Sequence, residues 1–416
     1  MRSCSSVFFI HFLLLKVFCF YYDEQLYVPK YKKFLDIQTQ LTADIFNGYD
    51  ETVSPVYTWI DKNQPIGYDH EAPQRYNYSL FLYYLKLVEV QEPAEKVSVV
   101  MEVMEYWFDP RLSWNTSEYQ NVSSIITRQS KVWSPTLSVF GANDIVDFRD
   151  NDYRLVCIDN LGQIYDYLSV RISANCPMNV GMFPFDSQTC EISFNMPLFN
   201  MQEVKVYNEI YAGILHEKTW KTMVLFIQDF KIDRVQGNSE WKLVNLSSRV
   251  DALKYDDNFG SMELAIFEIK IRRNPLYYIY MIVFPSFVIN LVSIIGVFLK
   301  GADKMSRLNV GLTNIMTMTF ILGVMSDKIP RTGSIPLLGI YIIINLVIML
   351  IAIAIVTAIT EIRRCAMPLL KLKKSAYSRR LEVFLGPPLE YTCATILSVM
   401  TTANFMVMIG FWLDDL

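Results

Sequence analysis

The chain is 416 residues long, with Lys+Arg 38 against Asp+Glu 42 and a formal charge of -4, a balance that argues against nucleic acid as a partner. It is 52% hydrophobic, 14% aromatic and only 19% charged, poorer in charge than the roughly one quarter usual for soluble domains and too aromatic for disorder. A membrane protein carrying a soluble domain is the class that remains.

Residues 1–22 place Arg2 ahead of an apolar run from Val7 to Phe20 and read as a secretory signal peptide, with an uncleaved anchor as the alternative. Residues 23–274 contain no window long and apolar enough to span a bilayer, so an exported soluble domain is expected there. Phe34, Ile37, Leu41, Ile45 and Phe46 recur at helical spacing and predict one short amphipathic helix. Tyr78 to Val90, Lys96 to Phe108, Leu155 to Val170 and Leu264 to Ile271 are rich in alternating apolar, aromatic and β-branched residues, and predict an antiparallel β-sandwich. Acceptor triplets at Asn77, Asn115, Asn121 and Asn245 all lie in this region and are candidate glycosylation sites.

Three cysteines fall in the exported region. Cys176 and Cys190 are the expected disulfide, because the turn-rich stretch between them closes a short loop, a constraint contributing ~3 kcal/mol. Cys157, in an alternating strand, is expected as a buried free thiol, with competition for a partner as the alternative.

Residues 275–416 are different in character. Four stretches, 277–299, 308–325, 335–359 and 391–413, approach or exceed the ~20 apolar residues of a spanning helix. The second carries Asn309, Thr313, Asn314, Thr317 and Thr319, which are costly against lipid unless they face protein or water, so this helix is expected to line something wet. The loop 361–390 has an excess of Lys and Arg and is assigned to the cytoplasm, which leaves both termini extracellular. Its basic residues could touch anionic lipid. Only 3 histidines are present and no phosphate-binding loop, zinc motif or nucleophile elbow occurs, so neither enzyme activity, nor a metal, nor a cofactor is expected.

Cys176 and Cys190 enclose Phe183-Pro184-Phe185-Asp186, and Trp107-Phe-Asp-Pro, Trp133-Ser-Pro135, Arg272-Arg273-Asn-Pro-Leu276 and Pro285 follow in order. This set resembles the Cys-loop, or pentameric ligand-gated, ion-channel family, in the manner of a divergent invertebrate-type nicotinic or GABA-receptor-like subunit. The resemblance implies an extracellular sandwich above four transmembrane helices, with five like or mixed subunits around a pore lined by the second helix in the plasma membrane, at a synapse or in neurons. It also implies that a small neurotransmitter binds between subunits, while His216 and the many carboxylates leave a proton as an alternative agonist. Beside the animal members of that family the loop 361–390 is short, and the resemblance therefore implies neither large intracellular scaffolding nor a long helix lining the exit.

Helical spacing puts Asn309, Thr313, Met316, Phe320, Gly323 and Asp327 on one stripe, with Met316 and Phe320 as the apolar constriction. Asp303, Arg307 and Asp327 are candidate charge rings; cations are favoured over anions because both acidic positions match those of cation-selective relatives and the Pro-Ala insertion of anion-selective ones is missing. For the agonist, the resemblance points to Trp107, Phe140, Phe199, Tyr255 and Phe259, although Pro197 stands where relatives have a central Trp and adjacent cysteines are missing near Tyr255, against acetylcholine for this subunit alone. Gating coupling is assigned to Glu92, Glu95, Phe183, Pro184, Phe185, Asp186, Arg272 and Arg273. The alternative function is a non-conducting ligand-binding or assembly subunit that modifies partner channels.

Overall fold

The computed structural model describes residues 24–56, 75–150, 153–201, 203–210, 235–254, 261–299, 303–327, 329, 333, 335–372 and 387–415. The signal-peptide, Tyr255, Phe259 and His216 expectations lie outside these residues.

Helix α1 (Glu24–Ile45) starts ten residues earlier than the periodic stretch predicts and crosses Pro29. Its buried stripe is the predicted one: Leu41 is fully buried, and Ile37, Ile45 and Phe46 pack on the sandwich core. The strands β1 (Tyr76–Gln91), β2 (Lys96–Phe108), β3 (Ser124–Arg128), β4 (Ser138–Phe140), β5 (Ala142–Asp147), β6 (Leu155–Asp159), β7 (Gln163–Asn175), β8 (Ser187–Asn195), β9 (Val204–Ile210), β10 (Val235–Gln236), β11 (Trp241–Lys254) and β12 (Ser261–Arg273) follow. One sheet runs β10-β1-β2-β7-β6-β3, with β5 on β7 and β9 on β1; the other runs β11-β12-β8-β4. Pairing is antiparallel except for β9 and β10, which lie parallel to β1.

Alternation sends Val97, Val99, Met101, Val103 and Trp107 of β2 into the core, against Phe194 of β8 and Phe267 of β12 on the facing sheet. The stretch 155–170, expected as one strand, is two: Gly162 adopts φ +88 in the turn between β6 and β7, a conformation open chiefly to glycine. Cys176 and Cys190 are bonded, and Cys157 is a free, half-buried thiol on β6.

The second part is a helical bundle. A single turn Leu276–Tyr278 and a π turn Ile279–Val283 lead into α2 (Phe284–Val297). Pro285 at the start of α2 has no N–H to give to the preceding turn; nearby, the Val283 carbonyl accepts from Ser286 Oγ (2.9 Å) and Tyr341 Oη (3.1 Å). Then come α3 (Lys304–Ser326), α4 (Leu337–Leu372) and α5 (Pro387–Asp415). Among the described residues, four helical stretches, Leu276–Val297, Met305–Ser326, Leu337–Cys365 and Pro388–Leu413, are long and apolar enough to cross a membrane. α4 runs through Leu372, beyond the predicted end of the third span at 359: Ala, Leu, Lys and Arg in 361–372 are good helix formers and extend the helix past its apolar part.

Candidate functional site

Two regions assemble residues from distant parts of the chain. The first is the base of the sandwich. β12 ends on Arg273, and its side chain lies in an aromatic cage, 4.1 Å from the Trp241 ring and 4.8 Å from that of Phe183. It is 2% exposed and ion-paired three ways: Nε to Asp186 (2.8 Å), Nη1 to Glu92 (2.9 Å) and Nη1 to Glu240. Burial opposes this charge, but Asp186 and Glu92 outweigh it and hold the guanidinium pKa above its usual value. Tyr278, at the entry to the first span, donates to Glu240 (2.8 Å) and stacks edge-on against Phe183 at 4.8 Å. Two carbonyls of the loop closed by Cys176 and Cys190 accept from the start of α4: Leu337 N–H donates to Gly181 O (3.0 Å) and Leu338 N–H to Phe183 O (3.1 Å). These are N–H groups that a helix start leaves without internal partners.

Of the residues expected at this junction, Glu92, Phe183, Asp186 and Arg273 meet in one cluster; Pro184 follows a cis peptide beside it, and Phe185 packs on the core. Arg272 is on the opposite face of the strand and does not join the cluster. Glu95 contributes through its backbone, its carbonyl accepting from Cys176 N–H (2.8 Å). Glu240, Trp241 and Tyr278 were missed; an acid and an aromatic at the opening of β11, the strand whose first residue pairs with Arg273, are the signal that could have found the first two.

The second region is α3. Asn314 and Met318 face the other helices and are buried, whereas Asn309, Thr313, Met316, Phe320, Gly323 and Asp327 are exposed on the side turned away from the bundle, Met316 and Phe320 at 72% each. Behind them, Asn314 donates to Asn290 (2.9 Å), Asn290 to Asn345 (3.2 Å), and Asn404 to Asn345 (3.2 Å), so one buried amide chain ties all four helices together. Asp303 is exposed at the N-terminal end of α3. Arg307 is turned instead toward α5, where it and Arg363 share Glu390 (3.7 and 2.7 Å). A long side chain next to a buried carboxylate takes that partner, and this removes Arg307 from the expected charge ring.

The expected agonist wall is changed as well. Trp107 is fully buried, its indole N–H donating to the Trp133 carbonyl (3.0 Å), so it is a core residue of β2 and not a binding surface. Phe140 is half exposed on β4, and Phe199 packs edge-on against Trp133, which in turn meets Tyr76. One register step from Trp107, on the outward face, Tyr106 lies 4.9 Å from both Phe81 and Tyr165. This aromatic platform was missed because the tryptophan drew attention to the wrong side of an alternating strand. The candidate glycosylation residues Asn77, Asn115, Asn121 and Asn245 are all exposed.

A disulfide-closed loop at the base of a β-sandwich, hydrogen-bonded to the start of one of four apolar helices, joins an outer β domain to a helical domain of membrane-spanning character. The neurotransmitter-gated ion-channel ligand binding domain model matches residues 38–275. The chain belongs to that family, whose members are Cys-loop receptors of the plasma membrane and not enzymes. It is similar to the acetylcholine receptor subunit alpha-type des-2 of Caenorhabditis elegans, at 21% identity over 79% of this chain and 56% of that protein. It also resembles the acetylcholine receptor subunit delta of Gallus gallus, at 28% over 65% and 52%. The betaine receptor acr-23 of Caenorhabditis elegans is 23% identical over 74% and 55%. The chain spans about half the length of these relatives.

Proposed function

We propose that the chain is one subunit of a pentameric channel opened by a small extracellular ligand, with the α3 stripe from Asn309 to Gly323 lining the pore. The observation that carries this reading is the face of α3 turned away from its own bundle: two polar groups, Asn309 and Thr313, are followed by two large apolar ones and then Gly323, a pattern suited to water and to a dewetting gate at Met316 and Phe320. One such helix cannot enclose a pore, and a ring of copies or of related subunits supplies the remaining wall. Cations are favoured, because Asp303 and Asp327 are exposed at the two ends of α3 while Arg307 is engaged by Glu390. The Arg273 cluster and the carbonyls given to α4 are the route by which the sandwich acts on the membrane helices.

The relatives make acetylcholine, betaine and 5-hydroxytryptamine the first agonists to try, with amino acids and acidic steps beside them. The test is expression in oocytes with surface delivery verified, while external sodium and chloride are shifted in turn. A gated current whose reversal follows sodium, and which Phe320→Ala makes leaky at rest, supports the proposal. Reversal following chloride overturns the ion assignment, and surface protein without current, alone or with a related subunit, favours the non-conducting role.

A further inference from the structure

β2 presents Val97, Val99, Met101, Val103 and Trp107 to the core, and at the one remaining inward position of that series stands Glu105, only 4% exposed. Its register partner on β7 is Asp166, also inward and 1% exposed. Two carboxylates directly opposite each other across a strand pair repel, and a core position that breaks its own apolar pattern marks a functional site more often than an accident. Both line a cavity of about 630 Å³ between the sheets, whose other walls include Leu137, Val139, Leu168 and Phe194.

The charges of the cavity do not balance. Arg149 binds Asp166 (2.6 Å) and Asp147 (3.2 Å), Arg154 binds Asp147 (2.9 Å), and Gln129 donates to the second oxygen of Asp166 (2.7 Å). Two acids are thus matched by two bases, and Glu105, among the described residues, forms no ion pair. The groups that face it are Asp166 of β7, Tyr78 of β1, Asp147 of β5 and Arg149 beyond β5. Burial and the charge of Asp166 push the Glu105 carboxyl up to about 8, while Tyr78 and Arg149 act against that rise.

We propose that this cavity, inside a single sandwich, binds a small organic amine whose ammonium group pairs with Glu105 and whose apolar body lies against Leu137, Val139 and Phe194. The lining fits such a ligand: Leu137, Val139 and Phe194 offer an apolar wall, and of the five charged side chains around the cavity Glu105 is the one left outside the ion pairs. All of the residues named belong to one chain, and the proposal does not depend on the channel reading.

The experiment uses the full chain in detergent micelles and 2-phenylethylamine as probe, with 3-phenylpropionate as its anionic counterpart, read by calorimetry. The amine is expected to bind wild type at least tenfold more tightly than Glu105→Gln, a variant that keeps the shape of the protonated acid. Leu168→Trp, which fills the cavity and leaves the carboxylates in place, should also abolish binding. Affinity for wild type should fall roughly tenfold per pH unit below pH 7, as the proton competes, and stay flat in Glu105→Gln. Equal binding by wild type and Glu105→Gln, preference for the carboxylate probe at Arg149 and Arg154, or no amine binding at millimolar concentration would each overturn the proposal.

Discussion

Replacing Arg273 with methionine tests the node that joins the sandwich to the membrane helices. Methionine keeps most of the volume inside the cage of Trp241, Phe183 and Tyr278, so the change is one of charge. Asp186, with its side chain 1% exposed, is left with the Gln188 amide (2.7 Å) as its side-chain donor. Removing one member of a buried ion pair costs about 3 to 5 kcal/mol, because the other charge stays desolvated. Glu240, with its side chain 42% exposed, adds little to that figure. For a domain of this size the loss corresponds to a fall of roughly 10 °C in Tm. It is read by thermal unfolding of the full chain in detergent, with surface biotinylation as a second measure. Asp186→Asn in the same chain neutralises the stranded acid and should restore at least half of the loss, since contacting residues are not additive. Lys270→Met, at an exposed position on the same strand, should stay within about 0.5 kcal/mol. A loss below about 1 kcal/mol for Arg273→Met, or a double variant no better than the single one, would refute the reasoning.

Asn290→Leu takes away the amide that Asn314 and Asn345 both use, and should cost about 1 to 2 kcal/mol in detergent unfolding while altering the packing of α3; an unchanged Tm would mean that the buried chain is replaceable by packing. Gly162→Ala places a Cβ 2.4 Å from the Asp109 carbonyl at φ +88, so the β6–β7 turn must shift, with an expected loss of at least about 2 kcal/mol against less than half that for Gly323→Ala, where the space is open. Glu105 has its folded pKa raised above the unfolded value, so the folded state holds more protons and stability falls as pH rises from about 5 toward 8, on the order of 1 kcal/mol per unit. Glu105→Gln should flatten that slope and be the more stable protein at pH 8.5, which urea titrations at several pH values would check.

The four apolar helices were legible in the sequence because a bilayer sets the length of any span and leaves long uncharged runs. Strands β1, β2 and β12 were legible through alternation, and the loop between Cys176 and Cys190 through its turn residues. The polar stripe of α3 followed from helical geometry alone. What alternation does not reveal is which face is inward. A shift of one residue exchanges core for surface, so Trp107 read as a binding wall until its neighbours across the sandwich were known.

The same reason separates Arg273 from Arg272. Adjacent in sequence, they point to opposite faces of β12, and only the packing of β11 and the disulfide loop against one face creates the cage and its acids. Glu105 and Asp166 lie far apart along the chain and become partners only through the pairing of β2 with β7. Periodicity and length are local properties that sequence carries in full. Burial, charge balance and the emptiness of a cavity are sums over segments distant in the chain, and only the folded arrangement performs that sum.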